Sequence, residues 1–322
     1  MGEAYTYAVA RIRALESSLF SNNTIDQLIA VPDYDGCIKF LLDKGWGNAD
    51  IAPTGEAILK AEQDKVWQEV KELGIPLDKF EVLFLPKEYH NLKAAIKEMY
   101  TSETHANIFY DDTKIPGHEM VEIVREKNFG KLPGNMQDAA AEAYESFMHT
   151  RDGQLCDIIV DRACLEAIYK AGKESSDQII KDYADDTVAV ADIKIAVRCQ
   201  KTKKPIDFMR RAMADCGSIS VNQLANAALN GMESIIEYLQ GTIYKEGAEA
   251  LKTSQSAFER WCDDRIIQTI KPQKYNTFTV GPVIAYVIAR QTEIKTVRVI
   301  LSGKQNLLPD ESIRERVREM YV

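Results

Sequence analysis

Gly281-Pro282-Val283-Ile284-Ala285-Tyr286-Val287-Ile288-Ala289-Arg290-Gln291-Thr292-Glu293-Ile294-Lys295 is the stretch that decides the fold class. Val283, Val287, Ile294, Val297 and Leu301 fall near one face at the 3.6-residue period, which predicts an amphipathic helix. Pro282 sits where a helix begins, since the N–H it lacks has no partner in a first turn anyway, and Gly303 sits where one ends. Residues 56–73, 139–148, 154–171 and 222–239 read as helices by the same period. The one strand-like run, 80–85, alternates only partly and meets Pro86. Breaks at Pro32-Asp33-Tyr34-Asp35-Gly36, Gly45-Trp46-Gly47, Gly74-Ile75-Pro76, Pro116-Gly117, Pro133-Gly134, Pro205 and Pro309 cut the chain into short and medium helices. The fold class is all-α.

An internal repeat gives the organisation. An acid or amide, then Leu or Ile, then Lys occurs three times and nowhere else: Asn91-Leu92-Lys93, Asp192-Ile193-Lys194 and Glu293-Ile294-Lys295, 101 residues apart each time. Equal spacing at every occurrence marks a triplicated unit. Lys97 and Arg198 follow the first two copies at the same offset, and Asp161-Arg162 and Asp264-Arg265 precede the last two. Ala10-Arg11-Ile12-Arg13-Ala14-Leu15 echoes the run that starts at Ala289-Arg290. We divide the 322 residues into 1–118, 119–220 and 221–322, with a C-terminal partial unit that packs back on the first.

Composition excludes several classes. The net charge is −9 with acids and bases interleaved, where a nucleic-acid binder gathers Lys and Arg on one face. The longest apolar run, 283–289, is far shorter than the roughly 20 residues that span a bilayer, and no signal peptide is read at the start. Cys37, Cys156, Cys164, Cys199, Cys216 and Cys262 form no C-x-x-C pair and read as reduced core thiols. A myristoylation pattern at Gly2 has no second anchoring signal beside it. The sequon at Asn22 reads better as a capping box from Thr24 to Gln27.

Templates for chemistry fail in turn. The Gly-Lys pairs at Gly130, Gly172 and Gly303 lack the upstream glycine whose amides would wrap a phosphate. Gly45-Trp46-Gly47 lacks the third glycine of a dinucleotide fingerprint. His90, His105, His118 and His149 make neither H-E-x-x-H nor Glu-x-x-His. Asp33-Tyr34-Asp35-Gly36 has its glycine too early for a calcium loop, and Lys44 stands where the closing glutamate belongs. The acid pairs Asp111-Asp112, Asp185-Asp186 and Asp263-Asp264 read as solvated turn or helix-start residues. No cofactor, metal or catalytic residue is expected, so the chain is read as a mechanical or scaffolding part.

The opening Tyr7-Ala8-Val9-Ala10-Arg11-Ile12-Arg13-Ala14-Leu15-Glu16, the middle Tyr89-His90-Asn91-Leu92-Lys93, the run 281–295 and the tail from Arg298 through Gly303-Lys304 to Ile313-Arg314-Glu315-Arg316 resemble one family. It is a V-type ATPase central-stalk family, named C in prokaryotes and d in eukaryotes, and the resemblance runs from end to end. It implies three similar helical domains forming a funnel about a pseudo-threefold axis. One end of the funnel stands on the cytoplasmic face of the membrane proteolipid ring, and the other receives the shaft made by subunits D and F. Such a part is peripheral to the membrane, has no active site, and passes torque between ATP turnover and ion transport. A soluble helical-repeat adaptor is the alternative. Arg11, Arg13, Lys93, Lys194 and Lys295 are the expected partner contacts, weighed against ordinary solvated charges.

Overall fold

The computed structural model describes residues 5–48, 54–101 and 108–322, and every element of these is helical. In chain order they are α1 (Thr6–Glu16), α2 (Asn22–Ile29), α3 (Tyr34–Asp43), α4 (Gly55–Glu72), α5 (Glu81–Thr101), α6 (Gly117–Arg125), α7 (Met136–Thr150) and α8 (Gly153–Glu174). Then come α9 (Gln178–Lys201), α10 (Ile206–Ala212), α11 (Val221–Asn230), α12 (Met232–Gln240), α13 (Lys245–Thr253), α14 (Gln255–Ile270), α15 (Gly281–Gln305) and α16 (Asp310–Arg314). Single 3-10 turns cover Leu77–Phe80, Phe129–Lys131 and Lys271–Tyr275.

Side chains that accept from the free N–H groups of the first turn start many of these helices. Ser21, Asp33, Thr54, Asp152, Ser220 and Ser254 cap α2, α3, α4, α8, α11 and α14. Ser21 rather than Thr24 caps α2: the Thr24 N–H donates to Ser21 Oγ at 3.2 Å, so the expected capping box is out of register by one turn. Residues 222–239 are two helices and not one, because Gly231 has φ +127°, which no helix accommodates. Residues 80–85 run into α5, and Pro86 stands inside that helix with no N–H for the carbonyl of Val82.

The chain makes two compact units, residues 1–77 with 249–322, and residues 78–248. In the first, α15 is the central helix, packed by α1, α4, α2, α3, α14 and α16. All ten residues from Gly281 to Arg290 are buried. The single apolar face read from sequence is therefore half of the matter: Ile284, Ala285 and Ile288 off that face are buried too, as expected of a helix surrounded by others. Nor does Gly303 end this helix, which runs to Gln305. A Cβ at 303 would stand 2.6 Å from Ile313, so the glycine lets α16 lie against α15.

In the second unit α8 is central, flanked by α5, α7 and α9, with α6 on α5 and the α11–α12 pair on α9. Lys93 and Lys97 on α5 pair with Asp161 and Asp157 on α8 at 2.7 and 2.6 Å, a two-rung ladder between antiparallel helices. At the other end of α8, Gly172 lets Ala184 of α9 come so close that a Cβ at 172 would lie 2.3 Å from the alanine methyl.

Candidate functional site

The three repeated motifs lie on α5, α9 and α15, and each does the same thing locally. Its apolar residue (Leu92, Ile193, Ile294) is buried, and so is the polar residue before it. Asn91 and Asp192 are 0% exposed and Glu293 is 2%. A buried oxygen must find a donor, and each finds the backbone N–H of a segment arriving from elsewhere. Asn91 Oδ1 accepts from Tyr110 at 2.9 Å, Asp192 Oδ1 from Ala214 at 3.1 Å, and Glu293 Oε1 from Phe20. Asn91 also donates to the Tyr110 carbonyl and to Thr113 Oγ1 at 3.0 and 3.1 Å. The motif thus specifies a helix with one internal hook that catches a connecting segment.

The hooks solve the charge problem in three ways. Asn91 carries no charge. Asp192 makes no ion pair among the described residues, its Oδ2 is without a hydrogen-bond partner, and burial pushes its pKa up to about 8. Glu293 sits in a buried ion network. Arg290 donates from Nη1 to Glu293 Oε2 and from Nη2 to Glu62 Oε2, and its guanidinium lies 4.6 Å from the Trp46 ring centroid. Trp46 stacks on Phe20 at 5.0 Å, so ring and hook secure the same segment. Glu62 Oε1 also accepts from the Gly47 N–H at 2.8 Å and Lys65 Nζ at 2.6 Å. Burial still raises the pKa of Glu293, Arg290 opposing it.

The five expected contact residues fall into two groups. Arg11 pairs with Glu69 and Glu72 of α4 at 2.7 and 2.6 Å. Arg13 pairs with Glu16 at 2.7 Å and donates to the carbonyls of Gln273 and Asn276 at 2.6 and 2.8 Å. Lys93 is the ladder residue on Asp161. Lys194 and Lys295 are exposed. Arg11, Arg13 and Lys295 belong to the first unit, Lys93 and Lys194 to the second. Tyr275 and Phe278 are exposed aromatics on the turn that Arg13 holds.

The family model described as "ATP synthase (C/AC39) subunit" matches residues 8–316. The chain belongs to that family. Its members are structural subunits of rotary ATPases and are not catalytic. The C subunit of a V-type sodium ATPase from Enterococcus hirae is 22% identical over 96% of this chain and 97% of its own length. The C subunit of an A-type ATP synthase from Methanocaldococcus jannaschii is 24% identical over 95% of this chain and 84% of its own. Its counterpart from Methanobrevibacter smithii is 22% identical over 97% and 87%.

The acid pairs, read as solvated, divide: Asp111 and Asp112 are exposed, whereas Asp186 is buried and Asp185, Asp263 and Asp264 are half-buried. Asp112 pairs with Lys87, and Asp263 with Arg318. Asp185 takes the Gly217 N–H at 2.6 Å, and Asp264 that of Glu319 at 2.7 Å. Asp186 is buried and accepts from Tyr244 Oη at 2.8 Å, the Tyr244 hydroxyl lying 2.7 Å from Ser218 Oγ. Five of the cysteines are buried and Cys216 is half-buried, all as free thiols. Burial raises the pKa of Cys156 to about 11 and of Cys164 to about 12, which makes both poor nucleophiles. Among the described residues no acid, His or Cys cluster could hold a metal, and no helix is long and apolar enough to cross a membrane. Gly2 and His105 lie outside the described residues.

Proposed function

We propose that this chain is a non-catalytic rotor subunit of a V-type ATPase, joining the shaft formed by subunits D and F to the membrane proteolipid ring. The observation that carries the reading is the family match over residues 8–316. Torque passes through the subunit between ATP turnover and ion movement. The protein sits peripherally on the cytoplasmic side and meets the ring through surface complementarity, with no membrane-crossing helix among the described residues.

The reading includes three equivalent units, 1–118, 119–220 and 221–322, arranged as a funnel. Its support is the shared hook geometry of Asn91, Asp192 and Glu293. The hook on α15 catches Phe20, which supports a last unit completed by the N-terminal segment. Of the five expected contacts, Lys194 and Lys295 are the ones the reading offers to partners, because they are exposed whereas Arg11, Arg13 and Lys93 are half-buried.

The test is a pull-down of the purified full chain with the D–F pair and with ring-containing membranes, followed by ion pumping with and without the chain. The reading expects both partners to be retained, and ATP hydrolysis to continue while pumping is lost when the chain is omitted. Binding to neither partner, or pumping that survives its loss, would leave the soluble adaptor as the better account.

A further inference from the structure

The connection from α10 to α11, residues 213–220, belongs to no helix and is fastened by side chains from outside it. The Ala214 N–H donates to Asp192 Oδ1 at 3.1 Å, and the Gly217 N–H to Asp185 Oδ1 at 2.6 Å. Ser218 Oγ lies 2.7 Å from the Tyr244 hydroxyl, which donates to Asp186 at 2.8 Å. The Ser220 N–H donates to Tyr238 Oη at 3.0 Å. Three of these four fastenings end on acids of α9, and the segment brings Asp215 of its own to the same place.

Asp192 differs from the other two acids in its surroundings. Asp185 is half-buried and Asp186 has the Tyr244 hydroxyl, whereas Asp192 is 0% exposed and its Oδ2 has no hydrogen-bond partner among the described residues. The groups that face it are Asp215 and Cys216 on the segment and Arg162 on α8, the last engaged with Glu166, while Tyr169 of α8 lies towards Asp185 and Cys216. α11 carries no titratable side chain. Asp207, Arg210 and Arg211 on α10, Glu233 and Glu237 on α12, and Lys194 and Arg198 on α9 itself are exposed. A carboxylate formed in place would therefore be a buried charge with one N–H donor, which is costly, and water is what can relieve it. The cover that can lift to admit water is the segment, for Asp215 and Gly217 on it are exposed while α8 is the central helix of the unit.

We infer that residues 213–220 form a proton-operated strap, closed over Asp192 while the carboxyl keeps its proton and open once that proton has passed to water. With the strap closed, burial pushes the pKa of Asp192 up to about 8. With it open, the carboxyl is hydrated and returns towards the ordinary value of about 3.9. Between these values opening releases one proton, so a rise of one pH unit favours the open state by close to 10-fold, with no further gain above about pH 8. The strap tightens in acid and loosens towards neutral pH. The inference does not depend on the rotor reading.

The experiment is amide hydrogen exchange of the full chain at pH 5, 6 and 7, corrected for the intrinsic pH dependence of exchange and read on peptides covering 213–220 and α8. Protection of the strap falls by close to 10-fold per pH unit in the wild type. The amides of α8 exchange more slowly than the strap at every pH, because they need a larger opening. In Asp192→Asn, which keeps an acceptor for the Ala214 N–H and has no proton to release, protection of the strap hardly changes with pH. Wild-type protection that is constant with pH, or a variant that keeps the wild-type slope, overturns the inference. So does a strap that exchanges at the same rate as α8, since the opening is then unfolding of the whole unit. Should the variant fail to fold, the wild-type slope and the comparison with α8 still decide.

Discussion

Glu293 holds the backbone N–H of Phe20, a residue 273 positions earlier in the chain. The same carboxylate is paired with the buried Arg290, which is also held by Glu62. Glu293→Ala therefore strands an N–H and leaves Arg290 with one carboxylate in the core. We expect a loss of about 3–5 kcal/mol in chemical denaturation. Glu293→Gln, which keeps an acceptor oxygen, loses less. Equal losses in the two variants would mean that the hydrogen bond to Phe20 contributes little.

Asp192 makes stability depend on pH. Burial raises its pKa to about 8, against about 3.9 for an Asp in an unfolded chain. Between these values the folded state keeps a proton that the unfolded state has released. This group therefore lowers stability progressively as pH rises from about 4 to about 8, with no further loss above. Facing it are Asp215 and Cys216 on its own connecting segment and Arg162 on α8, the last engaged with Glu166. α11 carries no charge, and Glu233 and Glu237 on α12 and Arg210 and Arg211 on α10 are exposed. Asp192→Asn, the amide that Asn91 already supplies in the first copy, gains on the wild type across that window. The gain reaches about 2 kcal/mol by pH 8, after allowing for an amide N–H without an acceptor. Urea titrations at pH 5, 7 and 9 check this, and a constant difference between the two proteins would refute it.

Gly172→Ala tests the closeness of α8 and α9. The added methyl would lie 2.3 Å from the Ala184 Cβ, so the helices must separate or shift, at a cost of about 1–3 kcal/mol. Adding Ala184→Gly should return part of that loss. A single variant as stable as the wild type would show that the hairpin yields freely at this end.

Lys194→Ala and Lys295→Ala separate a surface role from a structural one. Both side chains are exposed, so each change should leave thermal stability within about 0.5 kcal/mol. If these lysines meet the shaft, its affinity falls by up to about 2 kcal/mol. Unchanged shaft affinity would make them ordinary solvated charges.

Much of this fold was legible because helices announce themselves locally. The period along α15, Pro282 in its first turn and the breaks at Pro116, Pro205 and Pro309 needed no knowledge of neighbours. What failed depended on contacts made later in space. Gly303 looks like a terminator in sequence and is a seat for Ile313 in the fold. Thr24 looks like a cap until Ser21, three residues earlier, is seen to hold its N–H. The lysine is the eye-catching residue of the repeat, while the buried residue two places before it makes the contact that the three copies share. Nothing local announces that the hydrogen-bond acceptors of Arg13 are carbonyls some 260 residues away.

The first compact unit is assembled from the two ends of the chain, 1–77 and 249–322, with 78–248 between them. On a ribosome, the segment bearing Phe20 and Glu62 emerges long before α15, the helix that buries both. At about 5–20 residues per second the delay is on the order of 10–50 s. During that time Ile12, Ile25, Leu28, Leu41 and Leu59, all fully or almost fully buried in the finished fold, have no α15 to cover them. Residues 78–248 can compact meanwhile from neighbours already made. The nascent N-terminal segment is thus the part of this protein most in need of a holding chaperone.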